Sequence, residues 1–395
     1  MSKNEIVCSS QVARTFNPIR AIVDNIQEWN KELPKIALSI GDPSVFGNFP
    51  VPESVTNAIQ DAITSQKANG YPPSVGYEAS REAVAQFWSR SNNTFVNKEQ
   101  VVLASGCSHS LEMSIKVLCN PGDALLIAKP SFSLYATLAN NLGIQIIYYD
   151  LLPSKEWEVD VDQLNHLLNT NTNIKSIIIN NPSNPCGSNY SKEHLLNICN
   201  ILEHHNIPII ADEIYANMVF DHKFHALGDL TKLPVLSTGG IAKQFLCPGY
   251  RLGWVIVHRS DDILKGVIKL SQLILGPNSL IQYALPNIFK NTPDDFYSDL
   301  NSTLKEHAFY IYNKLSQVTT VVKPQGAMYV MFKVPNDGDD VVFCKDLMKH
   351  KSVQCLPGQC FGIKGYVRIV ITPTKEMLDM ALTRMIAFIK ETSDK

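Results

Sequence analysis

The stretch VVLASGCSHSLEMSIKVLCNPGDALLIA, Val101 to Ala128, decides the fold. Four apolar residues make a strand, and the small polar run SGCSHS breaks it. A helix follows over GCSHSLEMSIKVLC, and ALLIA is a second apolar strand. A strand, a helix and a strand in so short a span begin the alternation of a mostly parallel sheet.

The alternation continues in the C-terminal direction. The helix FSLYATLANNLG is followed by the strand IQIIYYD, Ile144 to Asp150. A helix over about Asp160 to Leu168 leads to IKSIIIN, Ile174 to Asn180. The helix KEHLLNICNILEHHN precedes IPIIAD, Ile207 to Asp212, and PVLST and WVIVH complete the set. Short continuous apolar runs between helices predict an α/β fold with a mostly parallel sheet, seven-stranded and covered on both faces. Towards the N-terminus, Pro52 to Ala68 reads as an amphipathic helix, and NGYPPSVGY as turns. Ile36 to Gly47 reads as a short strand running into a Gly/Pro loop. NPIRAIVDNI, Asn17 to Ile26, has an Asn cap and a first-turn proline. Residues 1–17 read as a loose arm.

Beyond Gly276-Pro277 the style changes to α+β. Asp294 to Leu315 predicts one long interdomain helix. GAMYVMFKV, SVQCLPG and YVRIVIT predict strands between helices, and a helix ends the chain from about Thr374. The expected organisation is an N-terminal arm with part of a small domain over 1–47, a large domain over 48–290 and the rest of the small domain over 291–395.

The chain has 395 residues and a formal net charge of -2. No basic stripe points to nucleic acid, and no apolar run reaches transmembrane length. Nine cysteines without C-x-x-C or His/Cys clusters suit reduced core thiols and offer no metal site. The N-terminus lacks an apolar h-region and is not Arg-rich. A cytoplasmic protein is expected, with a mitochondrial address left open.

Ligands of open α/β sheets sit beyond the carboxyl ends of the strands, and several loops there carry chemical groups. In LSTGGIAKQFLCPGYRLGW, Leu236 to Trp254, one lysine stands between small and apolar residues. Desolvation lowers an ammonium pKa, and a neutral Lys243 could form a Schiff base with an aldehyde. Arg251 is placed to hold an anionic group bidentately. SGCSHS offers free N–H groups at a helix N-terminus, a phosphate cradle or a plain helix cap. NNPSNPCGS would force a rigid turn that presents the Asn184 amide to a phenolic oxygen. Asp212 in ADEIY ends an apolar strand, where a carboxylate needs a cation such as a protonated pyridine nitrogen. Tyr215, one helical turn on, would donate to the ring oxygen. Phe132 in KPSFSLY is a candidate to stack on the ring. Arg368 in YVRIVIT needs an anion, either a substrate carboxylate or an Asp or Glu of the protein. Gly41 in SIGDP leaves room for backbone beside a ligand.

Taken together, TFNPIRAIVDN, SIGDPSVFGN, NNPSNPCG, ADEIY, AKQFLCPGYRLGW, KLSQLILGP and RIVIT resemble the fold-type I pyridoxal-phosphate aminotransferases of class I, most of all those acting on aromatic amino acids. The resemblance covers nearly the whole chain. It implies pyridoxal 5'-phosphate carried on Lys243, which also shuttles the substrate proton. It implies that Asp212 pairs with the ring nitrogen, Tyr215 and Asn184 bond the ring oxygen and Phe132 stacks. Gly106, Cys107, Ser108 and Arg251 would hold the phosphate. Arg368, helped by the Gly41 backbone, would bind the substrate carboxylate. Tyr71 in NGYPPSVGY would reach the phosphate of a neighbouring subunit, which implies a homodimer with shared sites.

Gly240 stands where many relatives have serine, so one phosphate bond is lost or comes from Ser237 or Thr238. Phe132 replaces the tryptophan of aspartate-specific relatives, and no clear second arginine exists for a side-chain carboxylate, Arg20 being the candidate. These departures lean towards aromatic donors, tyrosine first and phenylalanine next, with a 2-oxo acid such as 2-oxoglutarate as acceptor in a ping-pong cycle of amino-acid catabolism. Other donor specificities (alanine, aspartate or broad), a cysteine-conjugate β-lyase and a non-enzymatic regulator on the same scaffold are the alternatives.

Overall fold

A computed structural model of the chain describes residues 6–23 and 28–393. Its centre is an eight-stranded sheet. The strands are β2 (Val101–Ala104), β3 (Ala124–Lys129), β4 (Gln145–Leu152), β5 (Glu158–Val159), β6 (Ile174–Asn180), β7 (Ile209–Asp212), β8 (Val235–Gly240) and β9 (Gly253–His258). Their spatial order is β2-β9-β8-β7-β6-β3-β4-β5. Neighbours from β8 to β4 run parallel, whereas β9 and the short edge strand β5 are antiparallel to theirs. The expected seven-stranded sheet is therefore joined by one two-residue edge strand.

The crossover helices are α5 (Gly106–Leu118), α6 (Leu134–Leu142), α7 (Val161–Thr170) and α8 (Lys192–His205). The period of two along each strand assigns alternate residues to opposite faces. Leu125, Ile127, Ile178 and Ile210 meet Leu111 and Ile115 of α5 on one face. Leu126, Ile177, Ile179 and Ile209 meet Leu195, Ile198 and Leu202 of α8 on the other. This is why the strands read as unbroken apolar runs.

Four helices complete the large unit: α3 (Glu53–Ser65), α4 (Glu78–Asn92), α9 (Asp261–Ser271) and α10 (Ser279–Asn291). Residues from α3, α4 and α10 share one apolar cluster with Leu103, Trp254 and Ile256 of the sheet's far end. After α11 (Asp294–Leu315), the strands β10 (Tyr329–Lys333), β12 (Leu356–Pro357) and β13 (Tyr366–Val370) form an antiparallel sheet with β13 in the middle. The helices α12 (Asp340–Lys351) and α13 (Lys375–Ser393) pack with it. The strand β1 (Ile36–Ala37) pairs in parallel with β11 (Val353–Gln354), so the N-terminal segment joins this second unit. Ile36 and Leu38 lie in the same core as Val367, Ile369 and Phe388.

Ahead of them lie α1 (Ser10–Ala13) and α2 (Pro18–Val23). The Asn17 side chain accepts from the N–H groups of Ile19 and Arg20, as the expected cap. Residues 24–27 of the helix expected over Asn17 to Ile26, and residues 1–5 of the arm, lie outside the described residues.

Candidate active site

A cavity of about 460 Å³ opens beyond the carboxyl ends of β2, β3, β6, β7 and β8 and is closed on its other side by β13 and the loop after β1. Most of the chemistry-bearing side chains named from the sequence line it. β3 and β6 are the place where strand order reverses, because β4 continues outward on one side and β7 and β8 on the other. That reversal splays the loops and leaves a crevice between them.

Asp212 ends β7 and is 3 % exposed. Its Oδ2 accepts from the Tyr135 hydroxyl at 2.5 Å, and its Oδ1 accepts from the Cys107 thiol at 3.6 Å and the Ile214 N–H at 3.3 Å. Among the described residues it has no ion-pair partner. Burial pushes this carboxyl above its ordinary range, and the three donors offset only part of that shift. A cation delivered to the cavity would restore the ionised form.

Arg368, in the middle strand β13, presents the opposite case. It is 3 % exposed, and its guanidinium lies between the rings of Tyr329 and Phe361, 4.4 and 4.8 Å from their centroids. Nη1 donates to the Asn184 Oδ1 at 2.9 Å and Nη2 to the Ser39 carbonyl at 2.7 Å, while Nε has no partner among the described residues. No Asp or Glu pairs with it among the described residues, which removes the structural ion pair that the sequence left open. With its oxygen turned to Arg368, Asn184 has its amide N–H groups left to donate into the cavity.

The Lys243 Nζ donates to the Gly41 carbonyl at 2.5 Å and stands 5.9 Å from the Tyr215 ring centroid. Its amine thus meets a backbone carbonyl and an aromatic ring at the cavity wall. Tyr215 sits in a turn after β7 and not one turn along a helix. Its hydroxyl is 2.7 Å from that of Tyr329. A side chain at Gly41 would strike Tyr329, its Cβ falling 2.6 Å from the hydroxyl.

At the opposite end, Ser105 makes no side-chain cap for α5, so the N–H groups of its first turn are free to meet an anion. A Cβ at Gly106, where φ is +76°, would fall 2.6 Å from Arg251 Nη2. The arginine fork therefore lies directly over the helix N-terminus, with Ser108 beside it on the cavity wall. Two expectations change here. The Cys107 side chain faces Asp212 and Thr238 Oγ1, so only its backbone is free for an anion. Ser237 and Thr238 are fully buried beneath the site, and Thr238 Oγ1 donates to the Ala211 carbonyl. Neither replaces the bond lost at Gly240.

Phe132 lines the cavity, its ring edge-to-face with Tyr135 at 5.8 Å. Tyr71 does not; it is 92 % exposed. Sequence reasoning missed Tyr135, Tyr329 and Ser39. Tyr135 stands three residues after Phe132 in SFSLY, one helical turn on, which is the only signal it gave.

The chain matches the model of the family "Aminotransferase class I and II" over residues 34–385. It is 45 % identical over 393 residues to tyrosine aminotransferase of Mus musculus, covering 96 % of this chain and 86 % of that one. With tyrosine aminotransferase of Dictyostelium discoideum it shares 40 % identity over 98 % of this chain and 96 % of that one. The solved tyrosine aminotransferase of Leishmania infantum superimposes with a TM-score of 0.93 at 34 % identity, covering 99 % of both chains. Alanine aminotransferase from Pyrococcus furiosus gives 0.91 at 29 % identity, over 98 % of this chain and all of that one. A chain whose two sheets bring a lysine, an aspartate and two arginines into one cleft thus comes with a family match over most of its length, and the chain belongs to the class I and II aminotransferases.

Proposed function

We propose that this chain is a pyridoxal 5'-phosphate-dependent aminotransferase that takes the amino group from an aromatic L-amino acid, tyrosine first, and passes it to a 2-oxo acid such as 2-oxoglutarate. The observation that carries the reading is a pair of buried, opposite charges, Asp212 and Arg368, each without a counter-charge among the described residues and both facing the cavity that holds Lys243. Two missing partners, a cation at one end and an anion at the other, fit a protonated pyridine ring and an amino-acid carboxylate. The uncapped start of α5 under Arg251 fits the phosphate. The relatives named tyrosine aminotransferase support the donor class.

When bound, the cofactor supplies an electron sink for the pair left on the substrate Cα. The protein's own residues do the rest. Asp212 provides the counter-charge that keeps the ring nitrogen protonated. Lys243 anchors the cofactor, and its Nζ takes up and returns the Cα proton. Arg368 fixes the carboxylate, and thereby the Cα, against that amine. Asn184 and the Tyr215 hydroxyl would hold the ring oxygen, and Phe132 would set the ring plane. The two half-reactions use the cavity in turn, in a ping-pong cycle. Titrating the purified protein with tyrosine, alanine and aspartate should deplete the visible cofactor band most readily with tyrosine. A stronger response to alanine or aspartate would move the assignment to another donor.

Tyr135 is a positioning residue in this scheme. Its hydroxyl is the shortest donor to Asp212. Tyr135→Phe should weaken cofactor binding by about tenfold, the worth of one hydrogen bond to a charged acceptor. Equilibrium dialysis of the variant against pyridoxal phosphate measures this, and unchanged affinity would deny the role. We further infer a homodimer in which Tyr71, exposed in the single chain, contributes to the neighbour's phosphate site. Light scattering should give the dimer mass, and a fully active monomer would rule the arrangement out.

A further inference from the structure

We propose that the hydroxyl of Tyr329 is a positioning group, which donates to the Tyr215 hydroxyl and so turns the single phenol proton of Tyr215 into the cavity, towards the ring oxygen of the bound cofactor. The proposal rests on the aminotransferase reading and deepens one part of it. Tyr329 opens β10 and is 1 % exposed. In the sheet register it stands opposite Val370, and Met331 stands opposite Arg368, so Tyr329 and Arg368 are diagonal neighbours on one face. That diagonal brings the Arg368 guanidinium to 4.4 Å from the ring centroid. The same ring meets Tyr215 edge to face, with centroids 5.8 Å apart and the hydroxyls at 2.7 Å. Beyond the Tyr329 hydroxyl stands Gly41, where a Cβ would fall 2.6 Å from the oxygen. Glycine leaves the room that the phenol needs. A ring that only filled the core would need neither the hydroxyl nor the glycine beside it.

The two hydroxyls share one contact, and among the described residues neither has another hydrogen-bond partner. One proton makes that contact, and the other is left over. A buried donor without an acceptor is costly, so the spare proton needs a place to go. With Tyr329 as donor it sits on Tyr215, on the cavity wall beside Lys243. The reverse order would leave it on Tyr329, against Gly41, whose carbonyl already serves Lys243. A hydroxyl that accepts also donates more strongly, because hydrogen bonds in a chain polarise one another. Burial first, and the Tyr329 hydroxyl next, hold the Tyr215 phenol well above the ordinary range, so its proton stays available. The charges around Tyr215 are Asp212 of β7, Arg368 of β13 and Lys243, and a change confined to the Tyr329 hydroxyl leaves all three in place.

The test uses the holoenzyme and Tyr329→Phe, which keeps the ring over Arg368. A donor on the cofactor's ring oxygen competes for the negative charge that holds the proton of the link to Lys243. With a weaker donor that proton is held more tightly. The midpoint of the pH-dependent change in the visible band should therefore rise by about 0.5–1 pH unit, the worth of one hydrogen bond. In a Tyr215→Phe background the same substitution should add no further shift. Calorimetry with 3-phenylpropanoate, a carboxylate without an amine, should give the wild-type affinity, because Arg368 keeps its seat. An unmoved midpoint, a shift that adds to that of Tyr215→Phe, or a loss of 3-phenylpropanoate binding alongside the shift overturns the role of the hydroxyl while the aminotransferase reading stands. A wild-type protein that takes up no pyridoxal phosphate and shows no visible band strikes that reading, and the proposal with it.

Discussion

Replacing Lys243 by alanine is expected to abolish amino transfer and remove the visible absorption of the bound cofactor. In the proposed reaction the lysine has two jobs: it would anchor the cofactor, and its Nζ would be the base that moves the substrate Cα proton. Loss of a positioned general base alone costs about 10²- to 10⁴-fold, and loss of the covalent anchor adds to it. A neighbouring polar group, the Tyr215 hydroxyl, is held by Tyr329 and is pushed well above the ordinary phenol range by burial, so it makes no substitute base. The fold should survive. Lys243 has one hydrogen bond, to a carbonyl at the cavity wall, and its removal leaves no buried charge behind. Retained turnover in a folded Lys243→Ala protein would refute the assignment of this amine.

Asp212→Asn is the second large effect, and its two readouts should move in different directions. The amide keeps the shape but not the charge. Without a counter-charge the cofactor ring loses its proton and with it most of its capacity to hold electrons. Breaking a buried ion pair at one partner costs about 3–5 kcal/mol, so kcat should fall by about 10²- to 10⁴-fold. The cofactor-free protein should be as stable as the wild type or more so. In that state the Asp212 carboxyl is raised above 3.8 by burial, so its ionisation costs stability as pH rises past that value. Asparagine has no such charge, and the wild type's loss of stability with rising pH should be smaller in the variant. Thermal unfolding of the cofactor-free proteins at pH 5 and pH 8 checks this. A fall in stability to match the fall in activity would mark Asp212 as a structural residue.

The sheet could be read from the sequence because its strands are buried on both faces. Ile177, Ile178 and Ile179 are all apolar since each face meets a helix, and such runs stand out against amphipathic helices. Three helices escaped notice for local reasons. EASREAVAQFWSRSN, in α4, mixes charge and aromatic residues without a clean stripe, and Pro286 interrupts the pattern of α10. The segment of α9 lies between a strand and the Gly276-Pro277 break, and only its Ser260 cap and acidic first turn mark a helix start. The site followed a similar rule. Residues whose chemistry is costly at a strand end, such as Asp212 and Arg368, announce themselves. Tyr135 and Tyr329 do not, because a tyrosine in an apolar segment looks the same whether its hydroxyl serves a carboxylate or merely fills a gap. The opposite error arose at Ser237 and Thr238. A hydroxyl near a candidate phosphate site suggests a role that burial within β8 denies it.

One measurement tests the central claim most directly. The purified protein is incubated with pyridoxal phosphate, reduced with borohydride, digested and analysed by mass spectrometry. The account predicts one modified peptide, spanning Leu236 to Trp254, with the pyridoxyl phosphate group on Lys243. A protein that takes up no label, or one labelled on another lysine while Lys243 stays free, would contradict it.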